Sequence, residues 1–184
     1  MRRQPVSTWL RAAVLALLTG CGSSGAESAH RADAIGFDDA TRVVLHGAAA
    51  SGLIGYCGQP EGVQLSQRAL SVAELQQVEG KLWPLLQEDL LSEGSKNQAQ
   101  DYYRQYAAAD WKEHRLVYVL GFHKRHVKAD AHHSAAEYWK LEPVIVSDGG
   151  VGYWCATYIQ DTGRFIRTKE EGGPVRTVRF NGYG

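Results

Sequence analysis

Four histidines lie close together in the second half of the chain, and imidazole is the commonest metal ligand in proteins. The candidates for binding zinc or copper are His123, His126, His132 and His133. The spacing argues against a metal site, because positions 123 and 126 of a strand point to opposite faces. Metal-ligating histidines also need ordered hydrogen-bond partners, whereas the segment 124–135 is rich in charge. The pattern favours an exposed loop, with metal binding or hydrolase chemistry at this loop as an alternative hypothesis.

Three cysteines are present, so at least one of them cannot pair within the chain. In an oxidising compartment Cys57 and Cys155 are expected to form a disulfide, which leaves Cys21 with a different fate. Such a bond would close a loop of about 100 residues and contribute about 4–5 kcal/mol in the chain-entropy model. The alternatives are two buried thiols or a catalytic cysteine, and the latter needs a nearby base and a lowered thiol pKa.

Cys21 follows a segment with the layout of a secretory signal, in which arginines precede a short apolar run over Ala12–Leu18. Leu18-Thr19-Gly20-Cys21 resembles the lipobox of bacterial lipoproteins. The resemblance implies cleavage before Cys21, a diacylglyceryl group on its sulfur and acylation of the new amino group. Two or three acyl chains form a lasting anchor. Gly22 after the cysteine, rather than aspartate, implies export to the outer membrane of a Gram-negative bacterium. The alternative is an ordinary secretory signal that leaves Cys21 as a free thiol.

The composition is that of one globular domain behind a targeting segment. The 184 residues are 44% hydrophobic and 10% aromatic, which is enough for a core. Equal numbers of acidic and basic residues, 20 each, give no basic footprint for nucleic acid binding. We assign residues 1–20 to a lipoprotein signal peptide, 21–35 to a flexible tether and 36–184 to the domain. No segment after Cys21 approaches the ~20 apolar residues that span a bilayer.

The clearest helix signal begins at Ser71, where Ser71 and Glu74 form a capping box. Apolar residues then recur at helical spacing as far as Leu90, and such a stripe must face a core. Gly80 and Pro84 interrupt the pattern and predict a kink or two short helices. Before this helix, a short strand is expected over 41–46, followed by a small, flexible segment over 47–52.

The rest of the chain reads as strands. The segment 115–122 is apolar at both alternating sets of positions, which predicts a central strand buried on both faces. A hairpin is expected between 153–159 and 164–167 across the turn 160–163. Further strands are predicted over 101–106, 142–146 and 175–180. Together these patterns predict an α+β fold, with one kinked helical segment on a mainly antiparallel sheet and one disulfide.

The region 65–184 resembles a group of small, uncharacterised secreted or lipid-anchored bacterial proteins. The matching pieces are Tyr103–Tyr106, Glu142–Gly150, Trp154, Tyr158, Thr162–Phe165 and Phe180–Gly182. They are mainly strand and turn segments. The resemblance therefore implies a shared fold and assigns no active site.

These patterns favour a non-enzymatic outer-membrane lipoprotein that faces the periplasm and acts as a binding or envelope-associated module. Its expected partners are the membrane, through acyl chains on Cys21, and a periplasmic protein, with no cofactor. An immunity or inhibitor protein against a periplasmic toxin or hydrolase is an alternative. The sequence carries no phosphate-binding glycine loop and none of the common hydrolase motifs.

Overall fold

The computed structural model describes residues 40–127, 135–146, 148–169 and 175–181. Cys21, His132 and His133 lie outside these ranges, and so do the predicted signal peptide and tether. The α-helices of the described residues are α1 (Gly47–Cys57), α2 (Val72–Ser92) and α3 (Ala135–Leu141). The strands are β1 (Arg42–Val44), β2 (Gln64–Leu65), β3 (Tyr102–Trp111), β4 (His114–His123), β5 (Gly150–Ile159), β6 (Arg164–Phe165), β7 (Thr168–Lys169), β8 (Val175–Arg176) and β9 (Arg179–Asn181).

The long strands β3, β4 and β5 form the centre of the sheet as antiparallel neighbours. β1 extends the sheet beside β3 in parallel orientation, and β2 pairs with β3 in antiparallel orientation. On the other side, β6 and β9 pair antiparallel with different parts of β5. A separate two-stranded ribbon joins β7 and β8. The α+β class, the mainly antiparallel sheet and the disulfide are confirmed, and the hairpin of β5 with β6 matches its prediction.

Both faces of the sheet are covered, because its central strands are apolar at alternating positions on both sides. α2 packs on one face, and α1 and α3 lie on the other. β4 contributes Val117 and Val119 to the α2 side. Its even-numbered residues face α1 and α3, and they are Leu116, Tyr118, Leu120 and Phe122. Gly121 belongs to this packing, since a Cβ there would come within 2.1 Å of the buried Trp154 ring.

Helix α2 follows its sequence signals closely. The Ser71 hydroxyl accepts a hydrogen bond from the Glu74 amide at 3.2 Å, and the Ser71 amide donates to the Glu74 carboxylate at 2.8 Å. The helix runs as a single element with Pro84 inside it, so the expectation of two short helices is replaced by a continuous one. Its apolar stripe is buried, and two carboxylates, Glu79 and Asp89, are buried with it.

The segment 47–52 is helical rather than flexible. It opens α1, whose buried residues Ala50, Leu53, Ile54 and Cys57 follow the spacing of one helix face. Alanine is the best helix former, and burial of this face against the sheet supplies the remaining stability. The helix signal was therefore present in the sequence, and the small residues obscured it.

The strand predicted over 142–146 does not form. The main chain here is held by side chains instead of by a strand partner. The Gln105 side chain donates to the Glu142 carbonyl at 2.6 Å and accepts from the Val144 amide at 2.9 Å. The Tyr153 hydroxyl donates to the Val144 carbonyl. Helix α3, which carries Trp139 into the core, precedes this segment and had no counterpart in the predicted elements.

The last predicted strand is divided into β8 and β9. The division has a local cause, because one oxygen of the buried Asp89 carboxylate accepts the amides of Thr177 and Val178 at 2.9 and 3.0 Å. Those two amides are therefore unavailable for strand pairing. A helix residue some 88 positions earlier in the chain thus sets the end of one strand and the start of the next.

Candidate functional site

Cys57 and Cys155 form a disulfide, as parity and compartment predicted. Their Cα atoms are 5.5 Å apart, within the usual range for a disulfide, and 98 positions separate them in sequence. The bond joins the last residue of α1 to the middle of β5, so it ties the helical layer to the sheet. Both half-cystines are buried, which suits a structural bond rather than a catalytic cysteine.

The predicted histidine cluster is only partly within the described residues. His123 ends β4, and its Nδ1 accepts the Arg125 amide at 3.1 Å. His126 Nε2 accepts a hydrogen bond from the Arg125 guanidinium at 3.4 Å. Burial, and then the neighbouring charge of Arg125, lowers the pKa of His123. Two cationic side chains, Lys124 and Arg125, share this turn and would repel a metal ion. The described part of the chain contains no group of three metal-ligating side chains.

A depression beside the β3–β4 turn contains a serine, a histidine and an aspartate, the residue types of a hydrolytic triad. The depression, about 280 Å³ in volume, is lined by Ser66, His114 and Asp161 among others. Their geometry is not that of a triad. The Ser66 hydroxyl accepts hydrogen bonds from the Arg115 guanidinium at 2.7 Å and the Arg68 amide at 3.3 Å. His114 Nδ1 is 3.6 Å from Asp161, outside hydrogen-bonding range.

Arg115 is hydrogen-bonded to three of the residues that line this depression, Ser66, Arg68 and Asp161. Its guanidinium lies 3.2 Å from the Glu74 carboxylate and donates to the main-chain carbonyls of Arg68 and Ala69. Its amide donates to Asp161 at 2.9 Å, and this bond is the main cause of the lowered pKa of Asp161. Burial opposes ionisation of Glu74, but hydrogen bonds from Ser71 and the charges of Arg115 and Arg68 lower its pKa overall. The cluster joins α2 to the sheet, and we assign it a structural role.

A second buried ionic group is centred on Glu79 of α2 and Arg104 of β3. Arg104 is 6% exposed, and its Nε lies 3.0 Å from the Glu79 carboxylate. The Tyr106 hydroxyl donates to the same carboxylate, and burial and this negative charge raise the pKa of Tyr106 well above its usual value. The guanidinium also donates to the Tyr102 carbonyl at 3.0 Å and lies 4.6 Å from the centroid of the Trp83 ring.

Arg104 of this ionic group also lines a cleft of about 340 Å³. The lining residues are Thr41, Trp83, Ala99, Gln100, Arg104 and Lys124. They supply an aromatic face, an amide, a hydroxyl and two cations, which are groups that bind a ligand by stacking and hydrogen bonding. Because Glu79 already balances Arg104, the cation of the cleft left for a ligand is Lys124. These groups suit the cleft to binding a ligand.

Sequence reasoning missed this cleft, although one signal for it was present. Glu79 follows Val78 and lies four positions after Leu75, on the buried face of the α2 stripe. A charge at a core position needs a partner, because an unpaired buried charge is strongly destabilising. The partner is on a strand 25 positions later, and no local pattern connects the two.

The chain matches no protein-family model, no curated protein and no solved structure. Among the described residues, no helix is long and apolar enough to cross a bilayer.

Proposed function

We propose that this protein is a non-enzymatic, lipid-anchored binding domain, held on the periplasmic face of the outer membrane by acyl chains on Cys21. The disulfide between Cys57 and Cys155 is the observation that carries the proposal. It accounts for two of the three cysteines and leaves Cys21 as the remaining one. That cysteine closes the Leu18-Thr19-Gly20-Cys21 sequence, which has the pattern of a lipidation site.

The disulfide supports an address outside the cytoplasm, because disulfides persist in oxidising compartments and are rare where thiols are kept reduced. The same reasoning bears on Cys21. An unpaired and exposed thiol is reactive in such a compartment, whereas a thioether to a diacylglyceryl group is not a free thiol. Lipidation therefore gives the third cysteine a chemically stable fate.

A binding role is supported by the side chains that line the described depressions. The cleft beside Arg104 offers stacking and hydrogen-bonding groups to a ligand. In the other depression the Ser66 hydroxyl is already hydrogen-bonded to Arg115. A domain that acts through its surface needs only a stable scaffold, and the disulfide and two buried ionic groups provide one.

The anchor is tested by metabolic labelling with an alkyne analogue of palmitate. We expect the wild-type chain to take up the label and Cys21→Ala to take up none, because the acceptor sulfur and the signal for N-acylation are both lost. The matched control is Ser23→Ala, which should label like wild type. An unlabelled wild-type chain, or label that persists in Cys21→Ala, would show that Cys21 is not the anchor.

A further inference from the structure

Exposed apolar side chains are concentrated on one short segment of the domain. Among the described residues, the exposed large apolar side chains are Leu91, Tyr138, Leu141, Ile145 and Val175. Three of these lie between positions 138 and 145, on α3 and the segment after it, with exposures of 41%, 58% and 58%. Tyr138 and Leu141 are three positions apart on α3 and so lie on one side of the helix, and Ile145 follows four positions later. Exposed apolar residues grouped in this way mark an interaction site more often than scattered ones do.

The segment is held rigidly, so its apolar side chains are presented outward in a defined arrangement. Trp139 is 2% exposed and anchors α3 in the core. The buried Gln105 side chain binds the main chain on both sides of Leu141, at the Trp139 and Glu142 carbonyls. Pro143 packs close to Gly52 of α1. Little conformational entropy remains to be lost when this surface binds.

Two lysines lie over aromatic rings that pack together beside this segment. Lys140 Nζ lies 5.5 Å from the Trp139 ring centroid, and Trp139 stacks on Tyr103 at 4.8 Å. Lys124 Nζ lies 5.8 Å from the Tyr103 ring on the neighbouring turn. The acidic residues of α3 and of the segment after it, up to Ile145, are Glu137 and Glu142. Apolar side chains next to aromatic rings and lysines are typical of protein surfaces at the boundary of a bilayer.

The same end of the domain receives the chain from Cys21. Val43 of β1 pairs with Gln105, the residue that binds the main chain around Leu141. β1 therefore lies beside the strand residue that holds the apolar segment. Fully extended, the residues from 21 to 39 span at most about 65 Å. An anchor on Cys21 therefore keeps this end of the domain within that distance of the lipid surface, at a high effective concentration.

We propose that Tyr138, Leu141 and Ile145 form a membrane-docking surface that enters the interface of the leaflet holding the anchor. Lys124 and Lys140 lie beside the lipid phosphates in this arrangement. The inference rests on the proposed anchor, which delivers the domain to the bilayer. Docking would orient the sheet and leave the opposite end of the domain, with the Ser66 depression, facing away from the membrane.

The test uses the full acylated chain, purified in detergent and reconstituted into vesicles of phosphatidylethanolamine and phosphatidylglycerol that contain a photoactivatable phospholipid. Mass spectrometry then locates the lipid crosslinks. We expect crosslinks on the peptide 138–145, and about a tenfold loss there in Leu141→Ser/Ile145→Ser, because two apolar side chains no longer favour insertion. Leu91→Ser removes a leucine of at least the same exposure from α2 and should leave the crosslinks unchanged.

Crosslinks spread evenly over the domain, or unaffected by the double substitution, would overturn the docking surface. Crosslinks in intact cells that join this segment to another envelope protein instead of to lipid would also overturn it. They would identify a protein interface. If the purified chain carries no acyl groups, the anchor fails separately. The same experiment at high vesicle concentration then still decides the docking surface, since crosslinks at 138–145 would retain it and their absence would overturn it.

Discussion

Glu79→Ala is expected to lower the free energy of unfolding by about 3–5 kcal/mol, because it leaves the Arg104 guanidinium buried without its counter-charge. Arg104 is buried between the sheet and α2, with its Nε 3.0 Å from the carboxylate that would be removed. The Tyr106 hydroxyl would lose its acceptor at the same time. Urea unfolding followed by far-UV circular dichroism measures the loss directly.

Two further variants separate the charge effect from a simple loss of packing. Glu88→Ala removes an exposed glutamate from the same helix and should change stability by less than about 0.5 kcal/mol. Glu79→Leu combined with Arg104→Met removes both charges. It should be less destabilised than the sum of its single variants, because neither partner remains buried alone. If the double variant shows simple additivity and Glu79→Ala behaves like Glu88→Ala, the ion pair does not stabilise the domain.

Replacing both disulfide cysteines is the second large effect. In a Cys21→Ala background, Cys57→Ala/Cys155→Ala should lower the free energy of unfolding by about 2–5 kcal/mol. The bond closes a loop across most of the described domain, with 98 positions between its ends, so its loss releases much unfolded-state entropy. The measurement is the shift of the urea midpoint relative to the oxidised Cys21→Ala parent.

Reduction of the parent provides the control for cavity effects, because it breaks the bond without removing side-chain atoms. The reduced parent should unfold at a midpoint close to that of the double alanine variant. If either the reduced parent or the double alanine variant unfolds at the midpoint of the oxidised parent, the bond between α1 and β5 does not stabilise the fold.

Local patterns predicted the elements whose causes are local. The capping box at Ser71 and the following stripe identified α2, and two-sided apolar alternation identified β4 as a central strand. The segments that deviated are governed by distant side chains. Asp89 divides the last strand by accepting the Thr177 and Val178 amides, and Gln105 holds the segment predicted as a strand over 142–146. The residues close to either segment in sequence do not indicate these long-range hydrogen bonds.

Some features of the candidate sites could likewise be predicted from the sequence, and others could not. Cysteine parity predicted the Cys57–Cys155 bond, since composition and compartment are visible in a sequence. The pairing of Glu79 with Arg104 and the exposure of Leu141 and Ile145 depend on tertiary packing. From the sequence alone, neither of these two apolar residues shows whether it is buried or exposed. The docking surface therefore became visible only when the sheet and helices were in place.

Counting free thiols in the natural chain tests the proposed states of all three cysteines most directly. The protein is extracted from envelopes under denaturing, non-reducing conditions with an alkylating agent, and its mass is measured before and after reduction. We predict no alkylated cysteine before reduction and two after it, because Cys57 and Cys155 are joined and Cys21 carries a thioether. One alkylated cysteine before reduction would show that Cys21 is a free thiol, and three would contradict both the anchor and the oxidising compartment.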